Sequence, residues 1–324
     1  MKALITGGAG FIGSHLAEYL LAQGHEVAVI DNLSTGRLEN VQHLMTHSRF
    51  HLAIDTITSE LVLDRLASEC DCIYHLAAAV GVKLIVQSPV YTIETNIIGT
   101  AAVFRAAKRY RRPIILASTS EIYGKNEHVP FAEDDDRLLG PTTRSRWCYS
   151  ESKAVDEFLA LAYWKECGLP VVIVRLFNTI GPRQTGRYGM VVPRFVAQAL
   201  AGEPLTVYGD GRQTRCFADV RDIVRGMVAL AECPQARGQV FNLGSDREIA
   251  IADLARLVID ITGSKSEIVY IPYEQAYEAG FEDMQRRVPD VSKVAAFIGW
   301  RATIPLEESI RAVAEYIKSQ KPGF

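Results

Sequence analysis

The chain has 324 residues, 48% of them hydrophobic and 23% charged, enough to bury a sizeable core and to carry one large α/β domain with a smaller second one. Its formal net charge of −3 provides no global basic field, which argues against nucleic acid or an acidic membrane surface as partner. No apolar run approaches the roughly 18 residues a membrane span needs, and MKALITGGAG lacks the charged start and apolar core of a secretory leader, so a cytoplasmic location is expected.

KALIT reads as a strand that runs into the glycine turn TGGAGFIGSH, where Gly7, Gly10 and Gly13 are spaced G-x-x-G-x-x-G and Phe11 and Ile12 open a helix. The helix SHLAEYLLAQ leads to a second strand, EVAVID, that ends at Asp31 and is followed by Asn32. DCIYHLA, TAAVFRAAKRY and PIILAST continue the alternation of strand and helix, which is the pattern of βαβ units and a parallel sheet. STSEIYG then places Glu121 beside Thr119 and Ser120 at a strand end, and YSESKAVDEFLALAYWKEC follows as a long helix before the buried strand PVVIVRLFN. Residues 182–219 carry Gly, Pro and Arg in loops around one helix, DVRDIVRGMVALAEC reads as a helix, and QVFNLGS as a strand able to rejoin the first sheet. Residues 251–324 read as a helix, the strand EIVYIPY, a polar loop and the amphipathic helix LEESIRAVAEYIKSQ.

These elements predict a doubly wound parallel sheet of Rossmann type over residues 1–181, with 220–246 returning to it, and a smaller α/β C-terminal lobe from 182–219 and 247–324. The cleft between the two is the expected ligand site. The cysteines at 70, 72, 148, 167, 216 and 233 are scattered without a histidine pattern, so reduced thiols and no metal are expected.

The glycine spacing lets the chain turn tightly and approach a pyrophosphate, while the helix N-terminus offers free N–H groups and a positive dipole end. Asp31, 18 residues past Gly13, can hold both adenosine ribose hydroxyls and repel a 2′-phosphate, which favours NAD over NADP. Tyr149 and Lys153 share one helix face, where an ammonium near the phenol is expected to lower its pKa toward that of a working base.

With YHLAA (74–78), ETNIIGT (94–100), RLFNTIGPR (175–183) and LTVYGDGRQTRCF (205–217), these motifs follow the order and spacing of the extended short-chain dehydrogenase/reductase family, which the chain resembles over nearly its whole length. The family comprises nucleotide-sugar epimerases, dehydratases and decarboxylases. The resemblance implies NAD in the large domain, a nucleoside-diphosphate sugar under the small lobe, and Thr119, Tyr149 and Lys153 around the C4 alcohol of the sugar. It further implies that Asp55 meets the adenine, that Leu76, Ala77 and Asn96 lie along the cofactor, and that Asn178, Val192, Tyr208, Arg215 and Arg287 hold the nucleotide and its diphosphate. A homodimer is expected from the apolar faces over 97–110 and 150–166, which such relatives use in pairing.

The resemblance also bears on the reaction. Relatives that dehydrate carry an Asp-Glu pair where this chain has Ser120-Glu121, and a serine cannot act as that acid. Ser-Glu resembles the UDP-glucuronate decarboxylases, so decarboxylation to UDP-xylose or a UDP-4-keto-pentose is the leading expectation, with UDP-hexose or UDP-uronate 4-epimerisation as the alternative. A non-catalytic NAD-binding protein is disfavoured because Tyr149 and Lys153 are both present.

Overall fold

The computed structural model describes residues 1–186, 190–276 and 284–320. Its centre is a parallel sheet of seven strands: β1 (Lys2–Thr6), β2 (Glu26–Asp31), β3 (Phe50–Ile54), β4 (Cys72–His75), β5 (Ile114–Thr119), β6 (Val171–Leu176) and β7 (Gln239–Leu243), in the order β7-β6-β5-β4-β1-β2-β3. Val, Ile, Leu and Ala fill β1, β2, β5 and β6 because both faces of a parallel sheet are covered. One face packs on helices Phe11–Ala22 and Val220–Glu232 through Leu16, Leu20, Ile223 and Met227. The other packs on Glu60–Glu69, Gly99–Tyr110 and Cys148–Cys167 through Leu63, Val103, Phe104 and Ala160. The doubly wound sheet expected from the sequence is therefore present. β7 joins it beside β6 as a parallel edge strand, pairing Gln239 with Val172 through Leu243 with Leu176.

Chain order reverses between β1 and β4, so the loops after these strands diverge and open a crevice at the carboxyl edge of the sheet. Thr6, Asp31, His75 and Thr119 all stand at that edge. A third apolar cluster joins Val192, Phe195 and Val196 to Leu205, Val207, Leu254, Val258, Ile310 and Val313. It brings the helices Val191–Ala201, Ile251–Thr262 and Leu306–Gln320 together over the same edge, with the parallel pair Leu205–Tyr208 and Ile268–Ile271 beside them. Among the described residues, no helix is long and apolar enough to cross a membrane.

Candidate active site

The glycine turn shapes one end of the site by steric exclusion. Gly7 sits at φ +72, and a Cβ there would lie 2.8 Å from the Ala77 amide nitrogen; a Cβ on Gly13 would collide with the Gly7 carbonyl oxygen. Helix Phe11–Ala22 starts at Gly10 without a side-chain cap, leaving its first amides for a ligand. Asp31, almost fully buried, accepts from Ala9 N at 2.9 Å and Leu33 N at 2.8 Å, so it braces the turn while lining the cavity. Burial raises its carboxyl above the usual range, and these amides oppose the rise.

Behind the turn, burial pushes His75 down to about 3, so the ring is neutral. Its two nitrogens lie 2.7 Å from Thr6 Oγ1 and 2.9 Å from Thr100 Oγ1. If Thr6 donates to Nδ1, its oxygen keeps both lone pairs for the Leu76 and Ala77 amides, each at 3.2 Å. That fixes the stretch over which a cofactor would lie.

The chemical end of the site begins where β5 stops. Thr119 Oγ1 accepts from Glu121 N at 3.2 Å and hydrogen-bonds the Tyr149 phenol, and Ser150 Oγ donates to the Glu121 carbonyl at 2.8 Å. This binds the strand end to the start of helix Cys148–Cys167. The Glu121 carboxylate, 14% exposed, is held between Arg287 at 2.6 Å on Oε1 and Arg146 at 3.0 Å on Oε2. Burial favours its neutral form, but Arg146, Arg287 and Arg215 outweigh that and hold the carboxyl down to about 2.

A single cavity of about 760 Å³ runs from the glycine turn to these arginines. Gly7, Gly10, Phe11, Ile12, Gly13, Asp31, Asn32, Asp55, Leu76 and Ala77 line one arm. Thr119, Ser120, Glu121 and Tyr149 line its floor, and Asn178, Val192, Tyr208, Arg215 and Arg287 its other arm. Arg287 Nη1 also approaches Asn178 Oδ1 at 3.5 Å, and Arg194 lies over the Tyr208 ring at 4.1 Å.

One expectation is corrected, and two expected residues stand back from the cavity wall. Among the described residues, the cavity wall includes neither Asn96 nor Lys153. Asn96 is fully buried, accepting from Ala79 N at 2.9 Å and donating to Ser152 Oγ at 3.0 Å, so its side chain ties the two elements together. Lys153 Nζ meets Asp156 Oδ2 at 2.8 Å behind Tyr149, and Asp156 in turn hydrogen-bonds Thr100. With that ammonium already paired, the Tyr149 phenol is not lowered: burial, then the Glu121 charge, raise it above its ordinary value.

Sequence reasoning also missed site residues. Arg146 stands three positions before Tyr149 in the turn Ser145–Trp147 and is buried against the Trp147 ring, 5.3 Å from its centre. Gln213 Nε2 joins Tyr208 O at 2.9 Å to Tyr273 OH at 3.1 Å. The signal for Arg146 was its i, i+3 offset from Tyr149, which puts both on one face of the helix start.

The paired-glycine cradle, the uncapped helix start and Asp31 at a strand end suit a dinucleotide, and the arginine-rich arm suits a diphosphate. The family model described as GDP-mannose 4,6 dehydratase matches residues 4–313. UDP-N-acetyl-alpha-D-glucosaminuronate decarboxylase from Bacillus cytotoxicus is 40% identical over 318 residues, 98% of each chain. UDP-glucuronic acid decarboxylase 1 from Xenopus tropicalis is 41% identical over 319 residues, 98% of this chain and 72% of that one. The solved UDP-glucuronic acid 4-epimerase from Bacillus cereus, in complex with UDP-glucuronic acid and NAD, superposes with a TM-score of 0.88 at 32% identity over 99% of this chain and 100% of that one. A match over almost the whole length, supported by full-length relatives at this identity, shows that the chain belongs to the GDP-mannose 4,6-dehydratase family of extended short-chain dehydrogenases/reductases.

Proposed function

We propose that the protein is an NAD-dependent decarboxylase of UDP-glucuronate that forms UDP-xylose or a UDP-4-keto-pentose. The observation that carries this reading is the floor of the cavity, where a hydroxyl–phenol pair, Thr119 and Tyr149, adjoins a buried cluster of guanidinium groups. A neutral hexose presents only hydroxyl oxygens to such a cluster, whereas a uronate presents a carboxylate that can pair with a guanidinium. Similarity over 98% of this chain to two decarboxylases of UDP-linked uronates supports the same assignment.

Gly7, Gly10, Phe11, Ile12, Gly13, Asp31, Asn32, Asp55, Leu76 and Ala77 would hold NAD, with Asn96 and Lys153 acting from behind the wall. Bound NAD supplies a hydride acceptor and donor at C4 of the sugar. Tyr149 Oη takes the C4 hydroxyl proton while Thr119 holds the same oxygen. The raised phenol must come down for this, which requires the Lys153 ammonium, one turn along the helix, to act more strongly on Tyr149 than it does when paired with Asp156. Once C4 is a ketone, the C6 carboxylate is β to it. The C5–C6 bond breaks, CO₂ leaves, the electron pair passes into the C4 carbonyl, and C5 takes up a proton. Ser120 cannot supply the acid that C6 dehydration needs, and this route requires none.

Residues 182–219 and 247–324 form the nucleotide-sugar lobe in this reading, with Asn178, Val192, Tyr208, Arg215 and Arg287 on the nucleotide and diphosphate. The protein works in the cytoplasm as a homodimer. The latter is supported by exposed Val90, Ile98, Val155 and Phe158, the last 67% exposed, on helices that flank one side of the sheet. Incubation of the purified protein with NAD⁺ and UDP-glucuronate tests the activity: release of CO₂ with a pentose nucleotide is expected, and a C4 epimer without CO₂ would favour the 4-epimerase reading instead.

A further inference from the structure

The Glu121 carboxylate occupies the kind of position a substrate carboxylate would seek. Each of its oxygens meets a different guanidinium, and both arginines are buried to within a tenth of full exclusion from solvent. Three arginines, 146, 215 and 287, act on this single anion. The two that come from the C-terminal side have other tasks in view: Arg215 donates to Thr214 O at 2.7 Å, and Arg287 reaches Asn178, on the arm assigned to the nucleotide. Arg146 instead comes from the turn that leads directly into Tyr149.

Sugar geometry separates these groups. In a pyranose, C6 hangs on C5, next to C4, while the diphosphate hangs on C1 across the ring. With Tyr149 at the C4 hydroxyl, a C6 carboxylate falls on the side of Tyr149 and Arg146, and the diphosphate falls on the side of Asn178 and Arg215, while Arg287, which reaches both Glu121 and Asn178, spans the two. We infer that Arg146 is the specificity-determining residue for the C6 carboxylate, and that Glu121 is a resident carboxylate that holds the Arg146 guanidinium in place until the substrate displaces it.

This rests on the uronate reading of the site, but it makes separate demands. A substrate carboxylate that binds Arg146 must compete with Glu121, so removing the resident anion strengthens binding of an acid sugar. If Glu121 were only a structural brace, its loss would weaken binding of every ligand.

Calorimetric titration of NAD-loaded protein carrying Tyr149→Phe to block turnover, alone and combined with Arg146→Gln, Arg146→Lys or Glu121→Gln, with UDP-glucuronate, UDP-glucose and UDP decides the matter. Arg146→Gln is expected to weaken UDP-glucuronate roughly 10- to 100-fold, the range for a charged hydrogen-bond partner, while UDP-glucose and UDP change by less than about twofold; Arg146→Lys recovers part of the loss. Glu121→Gln is expected to tighten UDP-glucuronate relative to UDP-glucose. Equal weakening of all three ligands by Arg146→Gln, no weakening of any, or a Glu121→Gln variant without gain for the acid sugar would overturn the inference. Should Arg146→Gln fail to fold, the Arg146→Lys and Glu121→Gln titrations still decide. A wild type that prefers UDP-glucuronate through Arg146 but releases no CO₂ would sink the decarboxylase reading and leave this inference standing.

Discussion

Replacing Glu121 by glutamine removes a carboxylate that meets Arg287 at 2.6 Å and Arg146 at 3.0 Å, and the consequence for stability depends on pH. Burial pushes this carboxyl up, the arginines outweigh it, and the group is held down to about 2 from its ordinary 4.5. The native state therefore binds this proton more weakly than the unfolded chain. The stabilisation is complete above the unfolded value and is lost as pH falls toward the native one. The shift corresponds to roughly 3 kcal/mol when complete, of which about 2 kcal/mol disappears between about pH 6 and about pH 3. Other carboxylates titrate alike in wild type and variant and cancel in the difference. Urea denaturation of both proteins at the two pH values should therefore show the gap between them narrowing by about 2 kcal/mol in acid. A gap of the same size at both values would refute the claim that Glu121 is an ionised partner of the two arginines.

Tyr149→Phe should lower kcat by at least about 10²-fold through loss of the proton acceptor, with NAD binding unchanged in a fluorescence titration; wild-type turnover would show the base misassigned. Gly13→Ala drives a Cβ into the Gly7 carbonyl and should weaken NAD binding while costing about 1–3 kcal/mol of stability. Unchanged NAD affinity in the same titration would count against the turn as the cofactor cradle. If the proposed homodimer forms, Phe158→Asp, at an exposed apolar position, should convert it to monomer in light scattering; a dimer that persists would place the interface elsewhere.

What could be read in the chain beforehand was what depends on neighbours in sequence. The glycine spacing, Asp31 at a strand end and the Thr119–Glu121 stretch follow from local backbone geometry, and all lie on one cavity wall. QVFNLGS was legible as a returning strand from Val240, Phe241 and Leu243 closed by the Gly-Ser turn, although Asn242 interrupts the run. The edge strand Phe50–Ile54, half-exposed and carrying His51, was not read as a strand. Asn96 and the Tyr149 phenol depend on partners far along the chain or on burial, with Ala79, Ser152 and Glu121 setting their states, whereas Lys153 meets Asp156 only three residues on. Spacing carries no information on which of two nearby charges a buried ammonium will meet. Arg146 was hidden for a related reason, since an arginine in a short turn is ordinarily solvated and only Glu121 and Trp147 bring it indoors.

The central claim is that the C6 carboxylate leaves as CO₂ after oxidation at C4. UDP-glucuronate labelled with ¹³C at C6, incubated with the NAD-loaded enzyme and followed by ¹³C NMR, tests it directly. The account predicts that the label passes into CO₂ and bicarbonate while an unlabelled pentose nucleotide accumulates. Label that remains on a nucleotide sugar, with C4 inverted or unchanged, would contradict it.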